Sequence, residues 1–112
     1  MKNKFLNTLF ILLLTAGIVH SQTFSISGKV TDSLSNPLQN VNIIVLETEN
    51  GTSTDSNGEY LIDDLASGVY NIRFSFLGYE SQIIKTVLEN KPITINVILK
   101  ELPVETEQVI IS

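Results

Sequence analysis

From Phe24 onward, apolar residues recur at every second position, with Phe24, Ile26 and Val30 on one side and Ser25, Ser27, Lys29 and Thr31 on the other. A period of two is that of an extended strand, whose successive side chains point to opposite faces. The run Asn36-Pro37-Leu38-Gln39 breaks it, because proline fixes φ and cannot donate to a ladder. Alternation resumes from Val41 to Leu46, where Val41, Ile43 and Val45 face one way and Ile44 and Leu46 the other. The clearest segment is VYNIRFSF, in which Tyr70, Ile72, Phe74 and Phe76 alternate with Asn71, Arg73 and Ser75 until Gly78 ends it. Tyr79 to Leu88 and Ile93 to Leu99 supply two more, separated by Glu89-Asn90-Lys91-Pro92. After Gln22 no stretch has a helical period. Roughly six or seven short strands, with turn signals about every ten residues, predict an all-β, antiparallel two-sheet sandwich. A small closed barrel is the competing arrangement.

Between Thr52 and Ile62 an Asp, an Asn and a Glu crowd around Gly58, as oxygen ligands do in calcium loops. A helix-loop-helix calcium site needs glycine at its sixth position and a bidentate carboxylate at its twelfth. Counted from Asp55, Gly58 comes fourth and Ala66 twelfth, so the register fails. The same residues make a tight turn: Asn57 and Gly58 tolerate positive φ, and the Asp55 side chain can bond the turn's own backbone. Gly51–Thr54 and Gly58–Ile62 are then expected to form a short hairpin. Gly28, Gly51, Asp55, Asn57, Gly58, Gly68, Gly78 and Tyr79 are the structural turn positions on this reading.

The chain opens differently. Lys2 and Lys4 precede an almost wholly apolar run from Phe5 to Val19. At about fifteen residues it is short of the roughly twenty that span a bilayer, and small residues follow it. This pattern reads as a secretory signal over residues 1–21, cleaved before Gln22; an amphipathic anchor that stays in place is the alternative. Export from the cytoplasm is the expectation that follows.

Residues 22–112 hold twelve carboxylates against five bases (Lys29, Arg73, Lys85, Lys91 and Lys100), a net charge of about −7. Such a surface repels phosphate backbones, which argues against nucleic acid. With no cysteine, and with the one histidine, His20, ahead of the cleavage point, the usual residues for zinc sites and nucleophile–imidazole catalysis are missing. The expectation is a protein that is not an enzyme and uses no cofactor or metal.

Other candidates have ordinary explanations. The Asp63-Asp64 pair reads as a solvated loop after Ile62. Arg73, on the polar side of its strand, reads as a cross-strand ion pair. Of the six aromatics after residue 21, Phe24, Tyr70, Phe74 and Phe76 alternate inward, leaving Tyr60 and Tyr79 as conceivable glycan platforms.

Taken together, Gly28, Val30 and Asp32, Pro37-Leu38, Val41, Gly51 to Asp55, Gly58 with Tyr60, Gly68 with Tyr70, and Gly78-Tyr79 resemble the carboxypeptidase regulatory-like domain. The form resembled is that at the N-terminus of TonB-dependent outer-membrane receptors in Bacteroidetes-type bacteria. The resemblance covers about Phe24 to Leu99 and implies a non-catalytic, seven-stranded sandwich of transthyretin or immunoglobulin kind, set ahead of a receptor's plug and barrel. It also implies a location in the periplasm or at the cell outer membrane, with attachment there through a barrel and not through a span of the chain's own. Residues 22–100 form the sandwich on this reading. Residues 101–112 form a linker whose segment Glu107, Gln108, Val109, Ile110 and Ile111 resembles the TonB box, gripped by the C-terminal domain of TonB. The partner implied is TonB or the receptor's plug and barrel. The alternative is a secreted sandwich that binds glycan or a surface protein.

Overall fold

In the computed structural model, residues 22–103 are described. They form eight strands: β1 (Phe24–Thr31), β2 (Asn42–Val45), β3 (Gly51–Ser53), β4 (Glu59–Leu65), β5 (Gly68–Ser75), β6 (Gln82–Leu88), β7 (Ile93–Thr94) and β8 (Val97–Ile98). Two sheets result. One runs β4-β1-β7 with β8 also on β1, and the other runs β3-β2-β5-β6. The expected sandwich is therefore present, and the two sheets remain separate.

The alternating positions sort as the pattern requires. Ile26 and Val30 of β1, Ile43 and Val45 of β2, Ile72 and Phe74 of β5 are fully buried, while Lys29 and Asn42 are exposed. Phe74 stands at the centre, meeting Tyr60 edge-on with ring centroids 5.5 Å apart, a geometry that aligns a ring's positive edge with a negative face. Thr54 is the one buried polar side chain among the described residues. Its hydroxyl accepts from the Val41 amide at 2.9 Å and donates to the Leu38 carbonyl at 2.5 Å, so it is satisfied.

Pairing departs from expectation in three places. The last segment is parallel to β1, with Ile26 opposite Ile93 and Val30 opposite Val97, whereas the other pairs are antiparallel. Alternation reports which face a side chain takes and is silent on strand direction. Secondly, β3 and β4 are not a hairpin, since β3 pairs with β2 and β4 with β1. The turn between them crosses from one sheet to the other because Thr54, at its start, is tied to Leu38 and Val41. Thirdly, Asp63 and Asp64 lie within β4. Phe24 faces Leu65 and Ile26 faces Ile62, so β4 holds one residue more than β1 over this interval. Asp64 takes φ 61° there, and Leu65 returns to the core. This is a β-bulge, with a polar residue of αL tolerance at the irregular position.

Candidate functional site

Two places in the fold gather the residues singled out from the sequence. The first is the crossing of β1, β4 and the final segment. In a regular parallel ladder the carbonyl of Ile95 would accept from the amide of Lys29, because the Ile95 amide donates to Ser27 at 2.8 Å. Instead that carbonyl turns inward over Gly28 and accepts from the Tyr60 hydroxyl at 2.6 Å. The side-chain oxygen of Asn96 takes its place, accepting from the Lys29 amide at 2.9 Å. A Cβ at position 28 would lie 1.8 Å from the Ile95 oxygen, so only glycine allows the arrangement. The interruption also explains why the single expected strand from Ile93 to Leu99 appears as two short pieces.

Tyr60 is consequently a core residue, and its burial pushes the phenol well above its ordinary range. The outer side of the same crossing is an open groove lined by Ser27, Lys29, Thr52, Asp55, Thr94 and Asn96, among others. Lys29 stands directly opposite Glu59 on β4. Hydroxyls, an amide and opposed charges offer hydrogen bonds there without an exposed aromatic face.

The second place is where the chain leaves the sandwich. Tyr79 bridges Glu101, the Glu80 amide donates to Lys100 at 2.8 Å, and the Leu102 amide donates to Gly78 at 2.9 Å. Gly78 has φ 88° and turns the chain into this contact. The Tyr79 ring packs on Phe76 with centroids 5.5 Å apart. Its hydroxyl is raised by desolvation and by the charges of Glu101 and Asp32. Gly78 and Tyr79 thus do more than end a strand: they hold Lys100 to Leu102 against the domain.

Of the other expected turn positions, Asp55, Asn57 and Gly58 do turn the chain, whereas Gly28, Gly51 and Gly68 lie within the strands β1, β3 and β5. Asp55 Oδ1 accepts from the amides of Asn57 and Glu59, each at 2.9 Å, and Gly58 at φ 75° closes the turn. Gly51 begins β3 opposite Ile44, and Gly68 begins β5 opposite Leu88. Arg73 faces Ile44 and Ile83 across the ladders, and neither neighbour is a carboxylate, contrary to the expected cross-strand ion pair. No aromatic among the described residues is exposed; Phe24, Phe76 and Tyr79 are half-buried. The TonB-box-like residues Glu107 to Ile111, like residues 1–21, lie outside the described residues.

Alternation does not mark the outer side of β5 and β6, where Val69 faces Val87 and, four residues along, Ile83 faces Arg73; the three apolar residues are about half exposed. Along Gln82–Leu88 the apolar residues occupy both faces, so no contrast marks them as outward-facing.

Residues 26–111 match the family of the CarboxypepD_reg-like domain. The chain belongs to that family. Among curated proteins this CarboxypepD_reg-like chain is similar to TonB-dependent receptor P3 of Formosa agariphila, 36% identical over 101 residues. That match takes in 89% of this chain and 10% of the receptor, so the chain spans about a tenth of its relative's length. Solved structures share the fold. A type II cohesin-X-dockerin complex of Acetivibrio cellulolyticus aligns with TM-score 0.59 at 20% identity, over 68% of this chain and 56% of that one. The Bacillus anthracis TIE protein aligns with TM-score 0.62 at 13% identity, over 71% and 17%. BcpA, the major pilin subunit of Bacillus cereus, aligns with TM-score 0.59 at 14% identity, over 72% and 31%.

Proposed function

We propose that this chain is a non-catalytic accessory domain of a TonB-dependent receptor, held on the periplasmic side of the outer membrane, and that its C-terminal segment is the contact for TonB. The observation that carries the reading is the 36% identity to a TonB-dependent receptor over nearly the whole chain. Charge and residue usage support it, since an acidic domain with no histidine after residue 20 and no cysteine has few of the groups that hydrolytic or metal chemistry employs.

The tail has the physical character required. Pro103 stops the chain from extending its ladder with Gly78 to Glu80, and the run Val109-Ile110-Ile111 has high β propensity. An extended segment of this kind adds itself to the sheet edge of another protein, main chain supplying affinity and alternate side chains specificity. Tethering at Tyr79 and Glu101 fixes the point from which it departs.

The experiment is a titration of the periplasmic C-terminal domain of TonB into the full chain and into a version ending at Lys100. Binding by the full chain alone is the expected result. Ile110→Pro should abolish it by removing a ladder donor, and Ile110→Val should leave it nearly unchanged. Equal binding by both versions, or binding by neither, would overturn the assignment.

A further inference from the structure

The first and last strands of the described sandwich lie side by side and run the same way. β1 enters the sheet at Phe24 and leaves at Thr31, while β7 and β8 follow it from Ile93, opposite Ile26, to Ile98, opposite Thr31. The chain therefore enters at one pole of the domain and leaves at the other. Tension between its two ends draws β1 toward the first pole and the final segment toward the second, along the strand direction. Bonds that join the two strands then lie across the load and must stretch together before anything slips. Had the terminal strands been antiparallel, both ends would sit at one pole and the bonds would break in succession.

We infer that the β1 pairing with β7 and β8 is a mechanical clamp, and that a further function of this domain is to transmit tension along the chain without unfolding. Besides the ladder bonds of β1 with β7 and β8, four bonds reinforce the clamp: Ile95 amide to Ser27 carbonyl at 2.8 Å, Leu99 amide to Thr31 carbonyl at 2.9 Å, Lys29 amide to Asn96 Oδ1 at 2.9 Å, and Tyr60 hydroxyl to Ile95 carbonyl at 2.6 Å. The last runs to β4, so the final segment cannot slide along β1 without also breaking from a third strand.

Register is locked sterically as well. The Ile95 carbonyl occupies the space left by Gly28, and a Cβ there would come within 1.8 Å of it. Sliding by two residues, the smallest step that keeps the same faces, would bring that carbonyl against Ile26 or Val30, each with a branched side chain pointing inward. The inference stands on strand topology and holds whether or not residues 104–112 engage TonB.

Because the sequence contains no cysteine, handles can be placed at will in the full chain. A Thr23→Cys and Pro103→Cys pair loads the clamp in shear. A Ser33→Cys and Pro103→Cys pair pulls the same final segment from its Leu99 end, beside Thr31, and peels it. Single-molecule force spectroscopy at one loading rate should give an unfolding force several-fold higher for the first pair. Asn96→Ala, an exposed substitution, should lower that force and leave the peeling force near its original value. Similar forces for the two pairs, or an equal proportional loss in both on Asn96→Ala, would overturn the clamp.

Discussion

The Tyr60 hydroxyl donates to the Ile95 carbonyl at 2.6 Å directly above Gly28, its cross-strand partner. Three strands thus meet where one residue has no side chain. Tyr60→Phe keeps the ring and its edge contact with Phe74 but strands a carbonyl, at a cost of about 1–2 kcal/mol. Gly28→Ala must move the Ile95 backbone and should cost more, about 3 kcal/mol. Urea denaturation of the two variants checks the order, and a smaller loss for Gly28→Ala would contradict it.

Alkaline pH should weaken the fold through the same phenol. Its pKa is raised by burial above the ordinary value of 10.0. The folded state therefore retains a proton that the unfolded state releases, and stability present below about pH 10 is lost as pH rises toward the folded value. Stability measured from about pH 8 to about pH 11.5 should fall at the upper end, and Tyr60→Phe should flatten that fall.

The turn at Asp55 gives a third expectation. Asp55→Ala removes the acceptor for two amides and should destabilise by about 1 kcal/mol. Gly58→Val should be worse, because φ is 75° and a Cβ would lie 2.6 Å from the Val30 carbonyl oxygen. Millimolar calcium should leave the melting temperature of the unmodified protein in place, whereas a ligand at a hundred times its dissociation constant would add about 2.7 kcal/mol.

Opposite faces of β5 should respond unequally. Phe74 is fully buried, and Phe74→Ala should cost about 3–5 kcal/mol, enough to leave little folded protein. Arg73→Ala, on the outer side between Ile44 and Ile83, should cost less than about 1 kcal/mol. Thermal melts of the pair, read together, test which face of the strand meets the core.

Burial was legible in the sequence because one face of each central strand is dry and the other wet. Tyr70, Ile72 and Phe74 follow that rule and are buried as expected. Direction was not legible, since a parallel and an antiparallel Ile93–Leu99 segment put the same side chains inward. Partnership across the Asp55 turn also escaped, because the local chemistry of Asp55, Asn57 and Gly58 suits a hairpin and a sheet crossing alike. What decides between them is Thr54, whose hydroxyl bonds two residues distant in sequence.

The site was legible only in its parts. Gly28 and Tyr60 were recognised as signposts, yet nothing local ties either to Ile95, 35 residues beyond Tyr60. Asn96 occupies a polar position in the segment from Ile93 to Leu99, and its side chain stands in for a missing backbone acceptor. Gly78 and Tyr79 were assigned to a turn, and their second role depends on a chain segment that returns more than twenty residues later.

Among the described residues β6 pairs on one side only, with β5, and its outward side chains run Ile83, Lys85, Val87. An open strand bordered by Val and Ile is a template on which identical molecules can stack. Lys85 sits at its midpoint. If two copies met antiparallel about that residue, their ammonium groups would face each other, and this border, one of two seven-residue edge strands together with β4, would reject its own kind. A single lysine at the middle of β6 thus sets like charge against like charge wherever two such borders pair, which discourages fibre growth.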